Sequence, residues 1–235
     1  HVLVDDVTVL ESRVTGLTFE QALIKRACDI VVSLIAIVIS SPIMLIEALA
    51  IKLEDGGPVF FKQPRVTQDG KIFNVLKFRT MIVDADKNNK RLASQGDSRI
   101  TKVGNVLRKL RIDELPQFIN ILKGEMSVVG ARPEQAEITE KYVEVLPEFR
   151  YRLKVKAGLT GLAQILGKYN TTPKDKLILD LIYIEQYSIW VDLKIMLQTA
   201  KVLFKSDSTE GVIGELPIDL EKHRELLEER KAEQQ

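Results

Sequence analysis

The sequence predicts a helix-dominated α+β protein, with a re-entrant N-terminal membrane helix hairpin and a cytosolic domain carrying a small β element. Three observations lead there. Between Ile30 and Ile51 runs an apolar stretch whose single charge is Glu47, broken by Ser40, Ser41 and Pro42. Only two runs, Val59 to Gln63 and Ile72 to Arg79, read as strands, both set between turn clusters rich in Gly, Pro and Asp. Beyond Arg79 the chain is mostly capped helical segments.

A simple spanning helix needs about 20 apolar residues. Ile30 to Ile46 falls short and contains the break, whereas extension to Ile51 takes in Glu47. Pro42 has no N–H to donate and its ring clashes with the carbonyl of Val38, so a helix must kink there. The hydroxyls of Ser40 and Ser41 are placed to bond the opened backbone. Ile30 to Pro42 rises roughly 18 Å, about one leaflet. Lys25 and Arg26 precede the stretch and Lys52, Lys62 and Arg65 follow it, so the preference of basic residues for the cytoplasm asks both ends to lie on one side. A hairpin that enters and returns satisfies this better than a kinked spanning helix or a buried core helix. A cleaved signal peptide is excluded by position and by the lack of a small-residue cleavage pattern.

The remaining elements follow in order. Val4 to Leu10 is a short strand or linker, and because the chain begins with His1 rather than Met, residues 1–22 are expected to be a linker from an upstream region. Residues 23–52 are expected to form the re-entrant helix, 53–206 a cytosolic domain and 207–235 a charged C-terminal extension. In Ile72 to Arg79, Val75, Lys77 and Arg79 share one face against Leu76 and Phe78. Asp84 to Gly96 reads as a charged helix and connector. Val103 to Leu110 is a short helix with Arg108 and Lys109 near its C-terminus. Glu114 to Leu122 is a helix with Asp113 as N-cap, Pro116 in its first turn and Gly124 ending it. Ser127 to Pro133 is turn-rich, Glu134 to Val145 a helix, Pro147 the start of another, and Ala157 to Gly161 a loop. Pro173 to Ser188 and Asp192 to Phe204 are helices, the second capped by its Asp. Leu220 to Gln235 is a solvated or partner-bound charged helix.

Composition narrows the chemistry. With 235 residues, 34 Lys and Arg and 33 Asp and Glu, the net charge of +1 gives no reason to expect a nucleic-acid partner. The single cysteine, Cys28, precludes an internal disulfide and suits a reducing, cytosol-facing compartment. The two histidines, His1 and His223, sit near the chain's ends, away from any His-ligated metal or Ser-His triad in the core. The chemistry must run on carboxylates, lysines and arginines.

Leu110 to Gln117 is the densest such cluster. Asp113 at a helix N-terminus is expected to stay ionised, as a nucleophile or metal ligand, and Glu114 points about 100° away from it. As a simple reading, Asp113 is a cap and Glu114 a first-turn charge. Lys77, Arg79, Arg108, Arg111 and Arg132, with Pro133 beside the last, form a candidate phosphate-binding set if they converge. Mg2+ suits such a site, because it takes one or two carboxylates with substrate phosphates and water. No Gly-rich phosphate loop of the Lys-Ser/Thr type is present.

Several ordered motifs together resemble the bacterial sugar transferase family, the monotopic phosphoglycosyl transferases. They are Lys25-Arg26 with Asp29, Ser41-Pro42, Lys77-Phe-Arg-Thr-Met81, Arg111-Ile-Asp-Glu-Leu-Pro-Gln117, Lys123-Gly-Glu-Met-Ser127 and Gly130-Ala-Arg-Pro-Glu134. Gly158-Leu-Thr-Gly-Leu-Ala-Gln164 and Tyr183 to Leu193 continue the match, which covers Leu23 to Phe204. The resemblance implies transfer of a sugar 1-phosphate from a UDP-sugar to polyprenyl (undecaprenyl) phosphate, beginning exopolysaccharide or capsule synthesis on the cytosolic face of a bacterial cytoplasmic membrane. It implies Asp113 as nucleophile, a phosphosugar held on it after UMP leaves, and Glu114 assisting with Mg2+. Partners would be UDP-sugar, polyprenyl phosphate and membrane lipid, and a homo-oligomer is compatible with all of this. Gly130-Ala-Arg-Pro133 and Lys156-Ala-Gly158 each lack a proline usual in the family, which puts loop rigidity in question. A noncatalytic membrane-surface binding module and a metal-dependent nucleotide-sugar hydrolase are the rival readings.

Overall fold

The computed structural model describes residues 16–83, 85, 97–167 and 172–203. The expected strand at Val4 to Leu10, the connector from Asp84 to Gly96 apart from Ala85, and the C-terminal charged helix lie outside them.

Helix α1 runs from Phe19 to Asp55 over 37 residues. Thr18 opens it with a capping box to Gln21, and Gly56, at φ 69°, closes it in the left-handed conformation that glycine adopts without strain. Pro42 lies inside this helix, which continues through it. The reason is local: Ser41 Oγ donates to Val38 O at 2.9 Å, satisfying the carbonyl that Pro42 cannot reach. Any change of direction at Pro42 is therefore a bend within one helix.

The burial of α1 is inverted. Asp29, Ser33, Ser40 and Glu47 face the protein, whereas Val31, Leu34, Ile35, Val38, Ile39, Leu45, Ile46 and Leu49 are exposed. A soluble core helix buries its apolar stripe. Here the most apolar window has a mean hydropathy of 2.4 yet is only 17% buried. That excludes the core-helix reading and leaves an apolar surface suited to lipid.

Strand β1 (Phe60–Val66) pairs antiparallel with β2 (Ile72–Phe78), with Pro64 opposite Asn74. β1 thus runs past Pro64, three residues beyond the expected end, because a two-stranded sheet leaves an edge where a missing N–H is harmless. Helix α2 (Lys102–Leu110) follows, capped by Thr101, and then a 3-10 turn, Ile112–Glu114. Helix α3 (Gln117–Lys123) ends at Gly124. The segments expected as turn and loop pair instead as parallel strands, β3 (Ser127–Val129) with β4 (Gly158–Thr160). Helix α4 (Ala136–Val145) and a 3-10 stretch, Pro147–Lys154, lie between them. Helices α5 (Leu162–Leu166), α6 (Pro173–Glu185) and α7 (Ile189–Leu203) complete the described chain. α7 starts three residues before the expected position, and Asp192 is not its cap but a buried partner of Lys25, at 2.5 Å.

The main core gathers Phe149, Tyr183, Ile121, Met126, Leu181 and Ile195 around the β3–β4 pair. A smaller cluster of Ile51, Phe78 and Leu107, with Met44, Ala48 and Ile112 packed on it, joins the end of α1 to α2 and the 3-10 turn. This second cluster positions the carboxylates described next.

Candidate active site

Arg111 ends α2 in the left-handed region at φ 56°, swinging the chain into the 3-10 turn that carries Asp113 and Glu114. Pro116, in helical conformation, is the N-cap of α3, so Asp113 is not the cap expected from the sequence. The two carboxylates live differently. Glu114 Oε1 accepts from Lys77 Nζ at 2.6 Å and from Arg132 Nη2 at 2.9 Å. Burial pushes the Glu114 carboxyl up, but the charges and hydrogen bonds of Arg132 and Lys77 outweigh it and hold the group well below the usual carboxylate range. Asp113 is bonded to no other side chain among the described residues. Burial, then the charge of Glu114, raises it above its ordinary value of 3.8, against the pull of Lys77, Arg108 and its own backbone N–H. The 3-10 turn of three residues offers little helix dipole to set against that burial.

Of the predicted cationic set, the fold brings Lys77, Arg108 and Arg132 to the carboxylates. Arg108 is steadied by its Nε donating to Thr80 Oγ1 at 2.7 Å. Arg79 turns away to an ion pair with Asp55 at the end of α1, and its Nε and Nη1 are buried without partners. Arg111 is exposed. The loop carrying Arg132 and Pro133 is fixed from outside: Arg65 Nη1 donates to Pro133 O at 3.0 Å, and Arg152 Nη2 to Arg132 O at 2.9 Å. Arg152 is itself locked to buried Asp180 at 2.7 Å. Arg65 and Arg152 were not in the predicted set; nothing in their local pattern distinguishes them from other surface arginines.

Lys25, Arg26 and Asp29, expected at the membrane boundary, turn into the protein. Lys25 Nζ reaches Tyr183 Oη at 3.0 Å as well as Asp192. Arg26 donates to Ile121 O at 2.6 Å and Leu122 O at 2.7 Å, where the last carbonyls of α3 lack helical partners. Asp29 Oδ1 accepts from Ser127 Oγ and Val128 N, each at 2.9 Å.

A family model described as bacterial sugar transferase matches residues 20–206, which hold every one of these groups. The chain belongs to the bacterial sugar transferase family. Among curated relatives, it is 43% identical to the UDP-N-acetylgalactosamine-undecaprenyl-phosphate N-acetylgalactosaminephosphotransferase of Aeromonas hydrophila, over 77% of this chain and 44% of the relative. It is likewise 43% identical to the UDP-glucose:undecaprenyl-phosphate glucose-1-phosphate transferase of Escherichia coli K12, over 79% and 41%. With the protein of that same name from Caulobacter vibrioides the identity is 40%, over 78% and 71%. The chain therefore spans less than half the length of the first two.

At the two positions where the resemblance implies proline, Ala131 and Ala157, the backbone is paired. Ala131 and Ala157 form a parallel bridge that extends β3–β4. Ala157 N donates to Thr67 Oγ1 at 3.1 Å, a bond that proline could not make. A Cβ on Gly158 would lie 2.1 Å from Gly130 N, so the two loops meet with glycine backbones in contact.

The donor set suits a hard divalent cation. Among the described residues no group of three His, Cys, Asp or Glu is gathered as a metal cage. Mg2+ needs only one or two carboxylates when phosphate oxygens and water complete its shell, and Asp113 is the carboxylate left uncommitted. Glu114, with one oxygen already serving two cations, is the weaker candidate.

Proposed function

We propose that the chain transfers a sugar 1-phosphate from a UDP-sugar to polyprenyl phosphate by two displacements on Asp113, at the cytosolic face of a bacterial membrane. The observation that carries the reading is the pair's division of labour. Glu114 is clamped by Lys77 and Arg132, while its neighbour Asp113 is unpaired and flanked by cations. The names of the three relatives above, each a transferase to undecaprenyl phosphate, support the substrate class, and their different sugars leave the hexose open.

An oxygen of ionised Asp113 attacks the sugar-linked phosphorus of the UDP-sugar. The bond from that phosphorus to the bridging oxygen breaks, and UMP departs with the electron pair. The sugar 1-phosphate is left on Asp113 as an acyl phosphate. A phosphate oxygen of the polyprenyl carrier then attacks the same phosphorus, freeing the Asp113 carboxylate and giving a polyprenyl diphospho-sugar. Lys77, Arg108 and Arg132 offset charge on the transferring group, and Glu114 keeps two of them in place. A divalent cation bound at Asp113 would supply further charge neutralisation on the diphosphate.

The membrane placement rests on α1. Its apolar surface faces outward while both ends are tied to one globular body, by Lys25, Arg26 and Asp29 at one end and Ile51, Glu54 and Asp55 at the other. A bend at Pro42 that dips α1 into one leaflet reconciles these, and holds Asp113 near a lipid phosphate while leaving it open to a soluble nucleotide.

The test is a panel of UDP-sugars with polyprenyl phosphate, read as UMP release. Asp113→Asn is expected to lower the rate by at least about a thousandfold and to abolish the labelled phosphosugar adduct. Wild-type turnover in Asp113→Asn would sink the nucleophile assignment. Free sugar phosphate formed without lipid acceptor would make the protein a hydrolase, and charge-dependent lipid binding without turnover a binding module.

A further inference from the structure

Glu47 is the single charge between Ile30 and Ile51, and it sits on the inward stripe of α1, not among the lipid-suited residues. It is 3% exposed, and both its carboxylate oxygens are buried without a hydrogen-bond partner. A buried carboxylate with no donor or cation is among the costliest groups a fold can hold. A lipid-facing helix gains nothing from it. Its position calls for a partner that the described residues do not supply.

The surroundings say which. Met44, Ala48 and Ile51, on the same side of α1 as Glu47, pack with Phe78, Leu107 and Ile112. The residue after Ile112 is Asp113, whose charge acts on Glu47. The cations nearby bond elsewhere: Lys77 and Arg132 to Glu114, Arg79 to Asp55, Lys52 to Gly56 O, and Arg108, whose charge acts on Asp113, to Thr80 Oγ1. Two carboxylates that bond to no cation among the described residues are thus brought to the seam of α1 and the 3-10 turn. Adjacent Asp113 and Glu114 diverge around their turn, whereas Glu47 and Asp113 come from separate elements packed together.

The geometry points to a divalent-cation seat formed by Glu47 and Asp113, with Glu114 outside it as the anchor of Lys77 and Arg132. A small hard cation such as Mg2+ or Mn2+ takes two carboxylates and keeps its other positions for water and phosphate oxygens. The membrane helix thereby contributes a ligand to the site. The use of the cation rests on the transferase reading; its binding does not.

Mn2+ is the probe, titrated by electron paramagnetic resonance against the full chain in nanodiscs without substrate. Glu47→Gln is expected to raise the Mn2+ dissociation constant by about tenfold or more, with Glu47→Asp recovering part of the loss. With chelator present, Glu47→Gln should melt at or above wild type, and Mn2+ should raise the melting temperature of wild type more than that of Glu47→Gln. Unchanged Mn2+ affinity in Glu47→Gln overturns the proposal, leaving Glu47 a protonated side chain. A test needing no variant loads Fe2+ in wild type and generates hydroxyl radicals with ascorbate and peroxide. Cleavage is expected both beside Asp113 and beside Glu47, and cleavage beside Asp113 alone overturns the seat. If no UDP-sugar yields UMP while Mn2+ binding stands, the reaction is lost and the site remains.

Discussion

Glu114 concentrates two cations on one oxygen, and this sets the sign of a pH effect. Its folded pKa lies below the unfolded value of about 4.5, so the ionised form is favoured by folding. That stability is complete above pH about 4.5 and drains away as pH falls toward the depressed folded value. Glu114→Gln should therefore lower stability at neutral pH by about 1–3 kcal/mol, since Lys77 and Arg132 lose a charged acceptor. In thermal melts from pH 7 down to 3, the gap between wild type and variant should close below pH 4.5; a constant gap would mean that the pairing is not what stabilises. Asp113 answers to the same neighbour. Removing the Glu114 charge should move the acid limb of the UMP-release profile to lower pH even as the rate falls, because that charge is one of the two causes raising Asp113. These groups were legible in the sequence because Lys77, Arg108, Asp113, Glu114 and Arg132 sit in compact motifs. Arg79 stands apart from them for a physical reason: strand alternation fixes the face on which a long side chain starts, not the partner its guanidinium finds, here Asp55.

At the scale of elements, α2 and α1 show what holds the site. Gly104 in α2 lies against strand-end backbone, where an added Cβ would sit 2.1 Å from Thr80 O. The clash is with main chain and cannot be relieved by a rotamer. Gly104→Ala should cost about 1–3 kcal/mol and, by displacing α2, pull Arg108 from Thr80, so kcat for UMP release should fall along with the melting temperature. A variant with wild-type rate and stability would show that α2 can shift freely. Asp29 plays the corresponding part for α1. Asp29→Ala leaves the buried Ser127 Oγ and Val128 N donors unpaired, at about 1–3 kcal/mol each, whereas Asp29→Asn keeps the accepting Oδ1 and should lose less. Equal losses in chemical denaturation would argue against the bonds. Neither contact could be read from the sequence, and nor could β3 and β4, since three-residue strands are too short to display a period of two. The long elements were readable because their caps and apolar runs are local: Gly124 and Pro173 each mark what the fold does there.

For the whole molecule the deciding relation is between α1 and the body it carries. At about 1.5 Å per residue, α1 is long enough to cross a hydrocarbon core of about 30 Å with turns to spare, so length alone permits a spanning helix. Attachment argues otherwise. A helix that crosses must leave its ends on opposite sides, but Arg26 ends on the C-terminal carbonyls of α3 while Glu54 accepts from Val103 N at the start of α2. Both elements belong to one folded body, which cannot occupy both sides of a bilayer. In a Cys28→Ser background, cysteines at Glu20 and Pro58, both exposed, should react with an impermeant maleimide only from the cytoplasmic side. A cysteine at Ile39, 71% exposed and beside the Ser-Pro bend, should resist the reagent from either side, being sheltered by acyl chains. Labelling of Glu20 and Pro58 positions from opposite sides would mean that α1 spans and that the body's grip on one end is lost in the membrane. Labelling of all three from the cytoplasm would place α1 on the surface instead of within a leaflet, and would lift Asp113 away from the phosphate of the proposed lipid acceptor.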